Sequence, residues 1–380
     1  MAIIDGTSGN DALFGTRLGD EINGLGGNDV LRGRRGGDRL NGGAGADEMR
    51  GRFGDDLYFV NHKGDRVGER FGEGTDTVYA TLAYRLQQHI ENLVLIGTAK
   101  IGRGNDLDNR LDASDQQGAP GSGVRAIANI LDGGSGADVM AGGYGRDTYY
   151  VDNAGDTIEE MGSLSTAPNS GPPVADDSNL DQVFSSITYI LPSRFDEDVN
   201  VHIGVENLIL TGTADLSGTG NAVQNQITGN DGNNLLRGLG GADNLSGGDG
   251  NDRLEGGDGS DVLNGGVGND ILIGGEGGTT FRFDSFDADT TDWKRGDTIR
   301  LDVKVFTELR DFDNRPSRSI DEEAFTEATS ASQADHRIIY NSASGELFYD
   351  PDGSGAQAQV LFATVNPGSQ MFWLDLSTYG

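Results

Sequence analysis

The sequence predicts an all-β fold, a solenoid of short stacked strands followed by a β-rich C-terminal segment. Glycine supplies 62 of the 380 residues, well above its usual share of about 7%. One nine-residue pattern recurs in runs between residues 6 and 282, and a fixed period of this kind is typical of repeat solenoids. Hydrophobic residues make up only 35% of the chain, which favours a thin core over a thick globular one.

Composition also excludes several partners and sites. The chain has 61 acidic and 28 basic residues, a formal net charge of −33, which argues against nucleic acid or an anionic membrane as the partner. It has no cysteine, so disulfides and thiolate metal sites are excluded. No apolar stretch approaches the length of a membrane span, and we expect no membrane insertion. The N-terminal residues lack the basic and apolar regions of a signal peptide.

The first run of the pattern extends from Gly6 to Phe59 and consists of six nine-residue units. The eighth residue of every unit is large and apolar, which predicts that it points into the core. The sixth residue of every unit is acidic: Asp11, Asp20, Asp29, Asp38, Asp47 and Asp56. We take residues 1–59 as the first roll of the solenoid.

The same frame returns in two later runs. A short roll at residues 129–150 carries Asp138 and Asp147 at the sixth position. A longer roll at residues 229–282 carries at that position Asn234, Asp243, Asp252, Asp261 and Asp270. Its last unit has Thr279 there, which predicts that metal binding ends while the strand stack continues.

Two linking segments, residues 60–128 and 151–228, resemble each other. Residues 76–86 parallel 181–191, and residues 91–99 parallel 206–214. We interpret both segments as further β rungs that lack the regular acidic turn. Polar stretches at 113–123 and 165–179 predict loops.

The acidic turns predict a hard cation. Glycines at the first, second and fourth positions let the backbone adopt positive φ and turn its carbonyls toward one point, and Ca²⁺ takes six to eight oxygen ligands. The alternative is a metal-free solenoid with Gly–Asp turns, but it does not require aspartate in six units of six. The expected metal-binding residues are the thirteen sixth-position residues named above and the following glycines: Gly6, Gly9, Gly24, Gly27, Gly33, Gly36, Gly42, Gly45, Gly133, Gly136, Gly238, Gly241, Gly247, Gly250, Gly256, Gly259, Gly265 and Gly268.

The units match the pattern GGxGxDxUx, and the chain therefore resembles RTX (repeats-in-toxin) calcium-binding proteins. The resemblance implies a parallel β-roll in which two nonapeptides form one rung and calcium lies between turns stacked one rung apart. About eight Ca²⁺ ions are expected from the lengths of the three runs. We also expect the chain to be largely unfolded at cytosolic calcium and to fold outside the cell.

Residues 283–380 lose the glycine period and gain aromatic residues, which predicts a C-terminal cap. The segment resembles the cap and secretion region of RTX proteins exported by type I secretion. The resemblance implies an uncleaved C-terminal export signal, the type I secretion machinery as a partner, and an extracellular location. Asp350 and Asp352 alternate with other residues before Gly353, which fits either a further calcium loop or a plain hairpin turn.

No catalytic motif is found, and the four histidines form no HExxH pattern. Because the repeats begin at Gly6, we expect no separate catalytic domain and no enzymatic activity. The favoured role is that of a cell-surface, S-layer-like, adhesive or biofilm-matrix protein that contacts polysaccharide. The alternative is a secreted carbohydrate-active enzyme or toxin with its site on residues 60–112 and 151–228. Tyr79, Tyr84 and Arg85 are its candidates for exposed glycan contact, but we favour the interpretation that they belong to the core or face of the solenoid.

Overall fold

The structure is a computed structural model that describes residues 1–114, 127–143, 145–160, 180–196, 201–309 and 317–379. Most of the predicted loop at 113–123 and all of that at 165–179 lie outside these residues. Two compact units are present, Met1–Phe184 with Arg194–Val205, and Ser185–Ser193 with Glu206–Gly380. The described residues form strands and three short 3-10 helices, Thr307–Leu309, Glu322–Ala324 and Trp373–Asp375, so the predicted all-β fold is confirmed. None of these helices has the length or apolar character to cross a membrane.

The first unit contains two rows of parallel strands, numbered here in chain order. One row is a nine-stranded sheet of β1 (Ile3–Asp5), β3 (Glu21–Asn23), β5 (Arg39–Asn41), β7 (Leu57–Val60), β9 (Thr77–Ala80), β11 (Asn92–Leu95), β13 (Arg110–Asp112), β15 (Val139–Gly143) and β17 (Thr157–Glu160). The other row begins with a four-stranded sheet of β2 (Ala12–Phe14), β4 (Val30–Arg35), β6 (Glu48–Phe53) and β8 (Arg66–Val67). It continues with β10 (Tyr84–Arg85), β12 (Ile101–Arg103), β14 (Ile130–Asp132), β16 (Thr148–Val151) and β18 (Gln182–Ser185). Two further strands, β20 (Ser193–Asp196) and β21 (Val201–Gly204), pair with each other.

The second unit repeats this arrangement and adds the C-terminal segment. One row is a ten-stranded sheet in the order β19 (Tyr189–Ile190), β23 (Ser217–Thr219), β25 (Leu235–Gly240), β27 (Arg253–Asp258), β29 (Ile271–Glu276), β31 (Asp289–Thr291), β37 (Val360–Thr364), β36 (Glu346–Tyr349), β35 (Ile338–Asn341) and β34 (Phe325–Glu327). The other row has the order β22 (Asn207–Leu210), β24 (Gln226–Thr228), β26 (Asn244–Asp249), β28 (Val262–Val267), β30 (Thr280–Phe283), β32 (Thr298–Asp302), β38 (Leu376–Tyr379) and β33 (Ser317–Ser319).

The register of the repeats places two nonapeptides in one rung. In β3, β5 and β7 the paired residues are Ile22, Leu40 and Tyr58, each 18 residues after the last. These eighth-position side chains are fully buried, so their predicted inward orientation is confirmed. Side chains stacked in this way at the strand spacing of about 4.8 Å form a narrow apolar column, which is why a chain with few hydrophobic residues can still build a core.

In the first linking segment the parallel pairing of strands continues. Val78 of β9 pairs with Leu93 of β11, which pairs with Leu111 of β13, and all three are fully buried. Strand pairing also continues past Thr279, since Phe281 of β30 pairs with Ile299 of β32.

The C-terminal segment contains antiparallel pairs of strands. Strand β36 pairs antiparallel with both β35 and β37, and β33 pairs antiparallel with β38. Phe306 packs against Phe286, Tyr349 and Phe362 with ring centroids 5.0–5.2 Å apart. This aromatic cluster gives the segment a core of its own, in agreement with the predicted β-rich cap.

Candidate calcium-binding turns

The sixth-position aspartates lie inside the turns that connect the two rows of strands. Asp29, Asp47 and Asp252, for example, are only 1–2% exposed. One carboxylate oxygen of each joins successive rungs: the backbone N–H of Asp29 donates to Oδ1 of Asp47 at 2.8 Å, and that of Asn234 donates to Oδ1 of Asp252 at 2.7 Å. The aspartates therefore form a ladder along the stack, in which each carboxylate is bonded to the equivalent residue of the adjacent rung.

The second carboxylate oxygen has no partner in most of these turns. A buried polar atom without a hydrogen bond is costly and is uncommon in native proteins. Here the same atom recurs in the same place in eleven aspartates. The buried, unpartnered Oδ2 atoms belong to Asp29, Asp38, Asp47, Asp56, Asp76, Asp138, Asp147, Asp243, Asp252, Asp261 and Asp270.

The surroundings of these oxygens suit a calcium ion. A Cβ atom on Gly24 would lie 2.3 Å from Oδ2 of Asp29 and 2.4 Å from the carbonyl oxygen of Gly42. At Gly247 the corresponding distances to Asp252 Oδ2 and the Gly265 carbonyl oxygen are 2.1 and 2.4 Å. Glycine thus leaves open a space bordered by a carboxylate and a carbonyl oxygen, which are the ligands that Ca²⁺ takes at 2.3–2.6 Å. The residues fit the metal.

Burial also keeps these carboxyls from ionising freely. It raises the pKa of Asp38, Asp138 and Asp270 to about 6 and that of Asp56 to about 8. The same cause raises to about 7 the pKa values of Asp76, Asp147, Asp243 and Asp252. Hydrogen bonds from the preceding rung oppose the shift, and neighbouring carboxylates add to it at most of these positions. A cation beside Oδ2 would favour the charged form.

The φ angle of the residue four positions before the aspartate distinguishes two kinds of turn. In what we call open turns, the second residue of the unit has a left-handed conformation and the aspartate Oδ2 has no partner. Leu25, with φ 74°, precedes Asp29, and Gly248, with φ 111°, precedes Asp252. The left-handed residues of the eleven open turns are Leu25, Arg34, Gly43, Arg52, Gly72, Gly134, Gly143, Leu239, Gly248, Gly257 and Gly266.

In what we call closed turns, the residue four positions earlier is not left-handed and its N–H donates to the side chain. Thr7 N–H donates to Asp11 Oδ2 and Thr16 N–H to Asp20 Oδ2, both at 2.6 Å. Burial alone would raise the pKa of Asp20, but hydrogen bonds from Ala2 and Thr16 outweigh it and hold the pKa below its ordinary value. A closed turn therefore satisfies its carboxylate without metal.

Asparagine closes its turns more completely. Asn230 N–H donates to Asn234 Oδ1 at 2.8 Å, and Asn234 Nδ2 donates to Asn230 Oδ1 at 2.7 Å. At Asn225, Oδ1 accepts from Asn221 N–H and Nδ2 donates to the Glu206 carbonyl. The amide group thus provides a donor as well as an acceptor inside the turn.

Most of the fourth-position glycines have a different role. Gly45 has φ 136°, and a Cβ there would lie 1.6 Å from the Gly27 carbonyl oxygen. Gly259 has φ 149°, and a Cβ added there would lie 1.5 Å from the Gly241 carbonyl oxygen. Any larger residue would push neighbouring turns apart, so these glycines permit the close stacking that brings the oxygens together. Gly9, in the first turn, meets only ordinary contacts.

Several acidic residues outside the predicted set occupy the same place in the ladder. Asp47 N–H donates to Asp65 Oδ1, and Asp56 N–H donates to Asp76 Oδ1. The further residues of this kind are Asp156, Asp181, Asp289 and Asp297. The spacing of 18 residues from Asp47 to Asp65, from Asp138 to Asp156 and from Thr279 to Asp297 could have revealed three of them.

The remaining candidates are the loop of Asp350 and Asp352 and the three linker residues considered for glycan contact. Asp350 is 4% exposed, its Oδ1 accepts the N–H of Asp352, and Oδ1 of Asp352 is buried without a partner. Tyr79 is half-buried and stacks on Phe59 with ring centroids 5.2 Å apart, and Tyr84 is half-buried with its hydroxyl in the interior. Both fit the core or face of the solenoid better than an exposed glycan contact. Tyr79 belongs to β9 and Tyr84 to β10, and Arg85 is the exposed member of the three.

Within the described ranges no group of three or more histidine, aspartate or glutamate side chains could hold a metal ion together. The turns offer one carboxylate each, so backbone carbonyls must supply most of the ligands. Stacked turns of this kind in a parallel β-solenoid define a repeat protein that binds calcium.

Comparison with protein families agrees with this class. The family model described as RTX calcium-binding nonapeptide repeat (4 copies) matches residues 5–40, 23–58, 126–158, 219–254 and 246–281. The chain thus contains RTX hemolysin-type calcium-binding nonapeptide repeats over these residues. A search of curated proteins finds no match.

Proposed function

We propose that this protein is secreted, has no catalytic activity, and folds when it meets calcium outside the cell. The observation that carries the proposal is the set of eleven buried carboxylate oxygens without a hydrogen-bond partner. Calcium, when bound, supplies the positively charged partner that these buried oxygens lack. We assign about one ion to each open turn, somewhat more than the eight expected from sequence.

The energetics favour calcium as the trigger of folding. Two carboxylates about 5 Å apart at an effective dielectric near 20 repel each other by up to about 3 kcal/mol, so the ladder opposes its own formation without metal. With a Kd of ~10⁻⁴ M, typical of extracellular sites, millimolar Ca²⁺ contributes about 1.4 kcal/mol per site. Several such sites together rival the whole stability of a domain, whereas cytosolic calcium contributes almost nothing.

Circular dichroism of EDTA-treated protein tests the trigger. We expect a largely unordered spectrum in EDTA and a cooperative gain of β structure as Ca²⁺ rises toward the millimolar range, with Mg²⁺ at the same concentration as the control. A fully β spectrum in EDTA that calcium leaves unchanged would contradict the proposal.

The C-terminal segment supports the proposed route of export. Residues 283–380 resemble the cap and secretion region of RTX proteins, and we propose that they engage the type I secretion machinery. Removing them should abolish export from a host that carries such an exporter, while the protein still accumulates in the cytosol. Export of the truncated chain at the full-length rate would contradict this role.

We place the protein at the cell surface or in the extracellular matrix, as an S-layer-like, adhesive or biofilm component that contacts polysaccharide. The role is supported by the acidic and glycine residues of the repeats, which lie in the turns of the stack and maintain its structure. Purified protein with bound calcium should bind matrix polysaccharide and show no turnover of polysaccharide, lipid or casein. Robust turnover of any of these would favour an enzyme.

A further inference from the structure

The turn that ends at Asp76 lies between the repeat segments, yet it has the features of an open turn. Its place in the chain falls outside the residues that match the family model. Asp76 is 1% exposed, and its Oδ2 is buried without a partner. Gly72, four residues earlier, is left-handed with φ 74°. Asp56 N–H donates to Asp76 Oδ1 at 2.9 Å, which places Asp76 in the ladder.

Two further carboxylates lie near Asp76. Asp76 N–H donates to Oε2 of Glu91 at 2.8 Å. Glu69 accepts the N–H groups of Gly51 and Arg52 at the neighbouring turn. Burial, followed by the charges of Glu69 and Glu91, raises the pKa of Asp76 to about 7. The spacing from Asp56 to Asp76 is 20 residues rather than 18, so the nine-residue pattern does not detect this turn.

The turn of Asn234 shows the opposite combination. It lies inside a matched repeat and would become a regular acidic unit by a single change. Asn230 before it is not left-handed, however, and the Asn234 side chain is satisfied at both ends by Asn230. No buried oxygen is left for a cation to contact in this side chain.

We propose that a left-handed residue four positions before a ladder aspartate, and not the match to the nonapeptide, selects the turns that bind calcium. Gly275 before Thr279 is also left-handed, with φ 84°, but threonine offers no carboxylate. Asp76 is therefore a calcium ligand, and the turns of Asn109, Asn225 and Asn234 stay free of metal. This inference rests on the proposed calcium-binding function and refines it, because it assigns ions to particular turns.

The physical reason is the direction of one backbone N–H. In a closed turn that N–H donates to the side-chain oxygen, as Asn105 does to Asn109 at 2.7 Å. The hydrogen bond takes up the oxygen that a cation would contact. A left-handed residue at that position leaves the oxygen without this donor, and a hard cation can then bind it.

Native mass spectrometry of the full chain, equilibrated with Ca²⁺, counts the ions directly. We expect Asp76→Asn to retain one ion fewer than the unsubstituted protein. Asp65→Asn is the matched control, because Asp65 is a ladder residue of a closed turn whose Oδ2 accepts from Asn61 and His62, and it should leave the count unchanged. Equal counts for Asp76→Asn and the unsubstituted protein would overturn the inference, as would a lost ion in Asp65→Asn.

A second pair of variants tests the rule without relying on the stability of Asp76→Asn. Asn234→Asp alone should add no ion, because Asn230 N–H still closes the turn. Asn234→Asp combined with Asn230→Gly should add one ion, because glycine adopts the left-handed conformation freely. An ion gained by the single variant would overturn the rule, and so would no gain in the double variant. If the unsubstituted protein retained no calcium at all, the proposed function would fail instead.

Discussion

Asp252→Asn tests the role of a single open turn. The change alters one side chain that is 2% exposed, in the middle of the longest matched run. The amide oxygen can still accept the Asn234 N–H that donates to Oδ1 at 2.7 Å, so the ladder survives. What is lost is the charged oxygen beside the Gly265 carbonyl.

The magnitude follows from the loss of one ion. With a Kd of ~10⁻⁴ M, one site contributes about 1.4 kcal/mol to the free energy of unfolding at 1 mM Ca²⁺ and about 2.7 kcal/mol at 10 mM. We expect Asp252→Asn to be less stable than the unsubstituted protein by these amounts. In EDTA the sign reverses or the difference disappears, because burial has raised the pKa of Asp252 to about 7 and the amide removes a poorly solvated carboxylate.

Urea unfolding followed by circular dichroism at 0.1, 1 and 10 mM Ca²⁺ measures the difference. Asp249→Asn is the matched control, because it removes the same charge from an exposed residue of the same nonapeptide. A stability difference for Asp252→Asn that stays constant across the calcium series would refute the reasoning, because it would show that the carboxylate acts without metal.

Three further predictions follow from the turns. Gly247→Ala should lose one ion by native mass spectrometry and at least about 1.4 kcal/mol of the free energy of unfolding at 1 mM Ca²⁺, because its Cβ would lie 2.1 Å from Asp252 Oδ2. Gly9→Ala is the control and should keep all ions, because a Cβ there meets only ordinary contacts. Arg52→Gly should stabilise the calcium-bound protein by about 1 kcal/mol because Arg52 has φ 77°, and Arg50→Gly in β6 should destabilise it by about 0.5–1 kcal/mol in the same urea unfolding assay. The metal-free fold should be most stable near pH 4 and should lose stability as the pH rises from about 4 to about 8. The pKa values of Asp56, Asp147 and Asp243 are raised in the folded state, so these buried carboxyls are neutral only at low pH. An increase of β structure with pH in EDTA, followed by circular dichroism, would contradict this.

Much of the fold follows from the period of the sequence. The inward eighth position and the 18-residue register could be predicted because turns of constant length force equivalent residues of successive rungs to stack. The continuation of the strand stack past Thr279 was also foreseen. Each of these depends on spacing alone, which is directly visible in the residues.

The difference between open and closed turns was not predictable in the same way. Leu25, Arg34 and Arg52 are left-handed although they are not glycine, so residue type does not reveal the conformation. Asp76 was missed because the irregular linker lengthens its turn. The stacking of Tyr79 on Phe59 of the neighbouring rung depends on the register between two segments, which the repeat pattern does not show. These features arise from contacts between rungs that are distant in sequence.

The most direct test of the account is an anomalous difference map from crystals grown with calcium. We predict a peak between Oδ2 of the aspartate and the glycine carbonyl oxygen in the open turns of Asp29, Asp243, Asp252 and Asp261, at ligand distances of about 2.3–2.6 Å. The closed turns of Asn225 and Asn234 should show none. Crystals with full-length strands and no peaks in the open turns would contradict the claim that the unpartnered carboxylates exist to bind calcium.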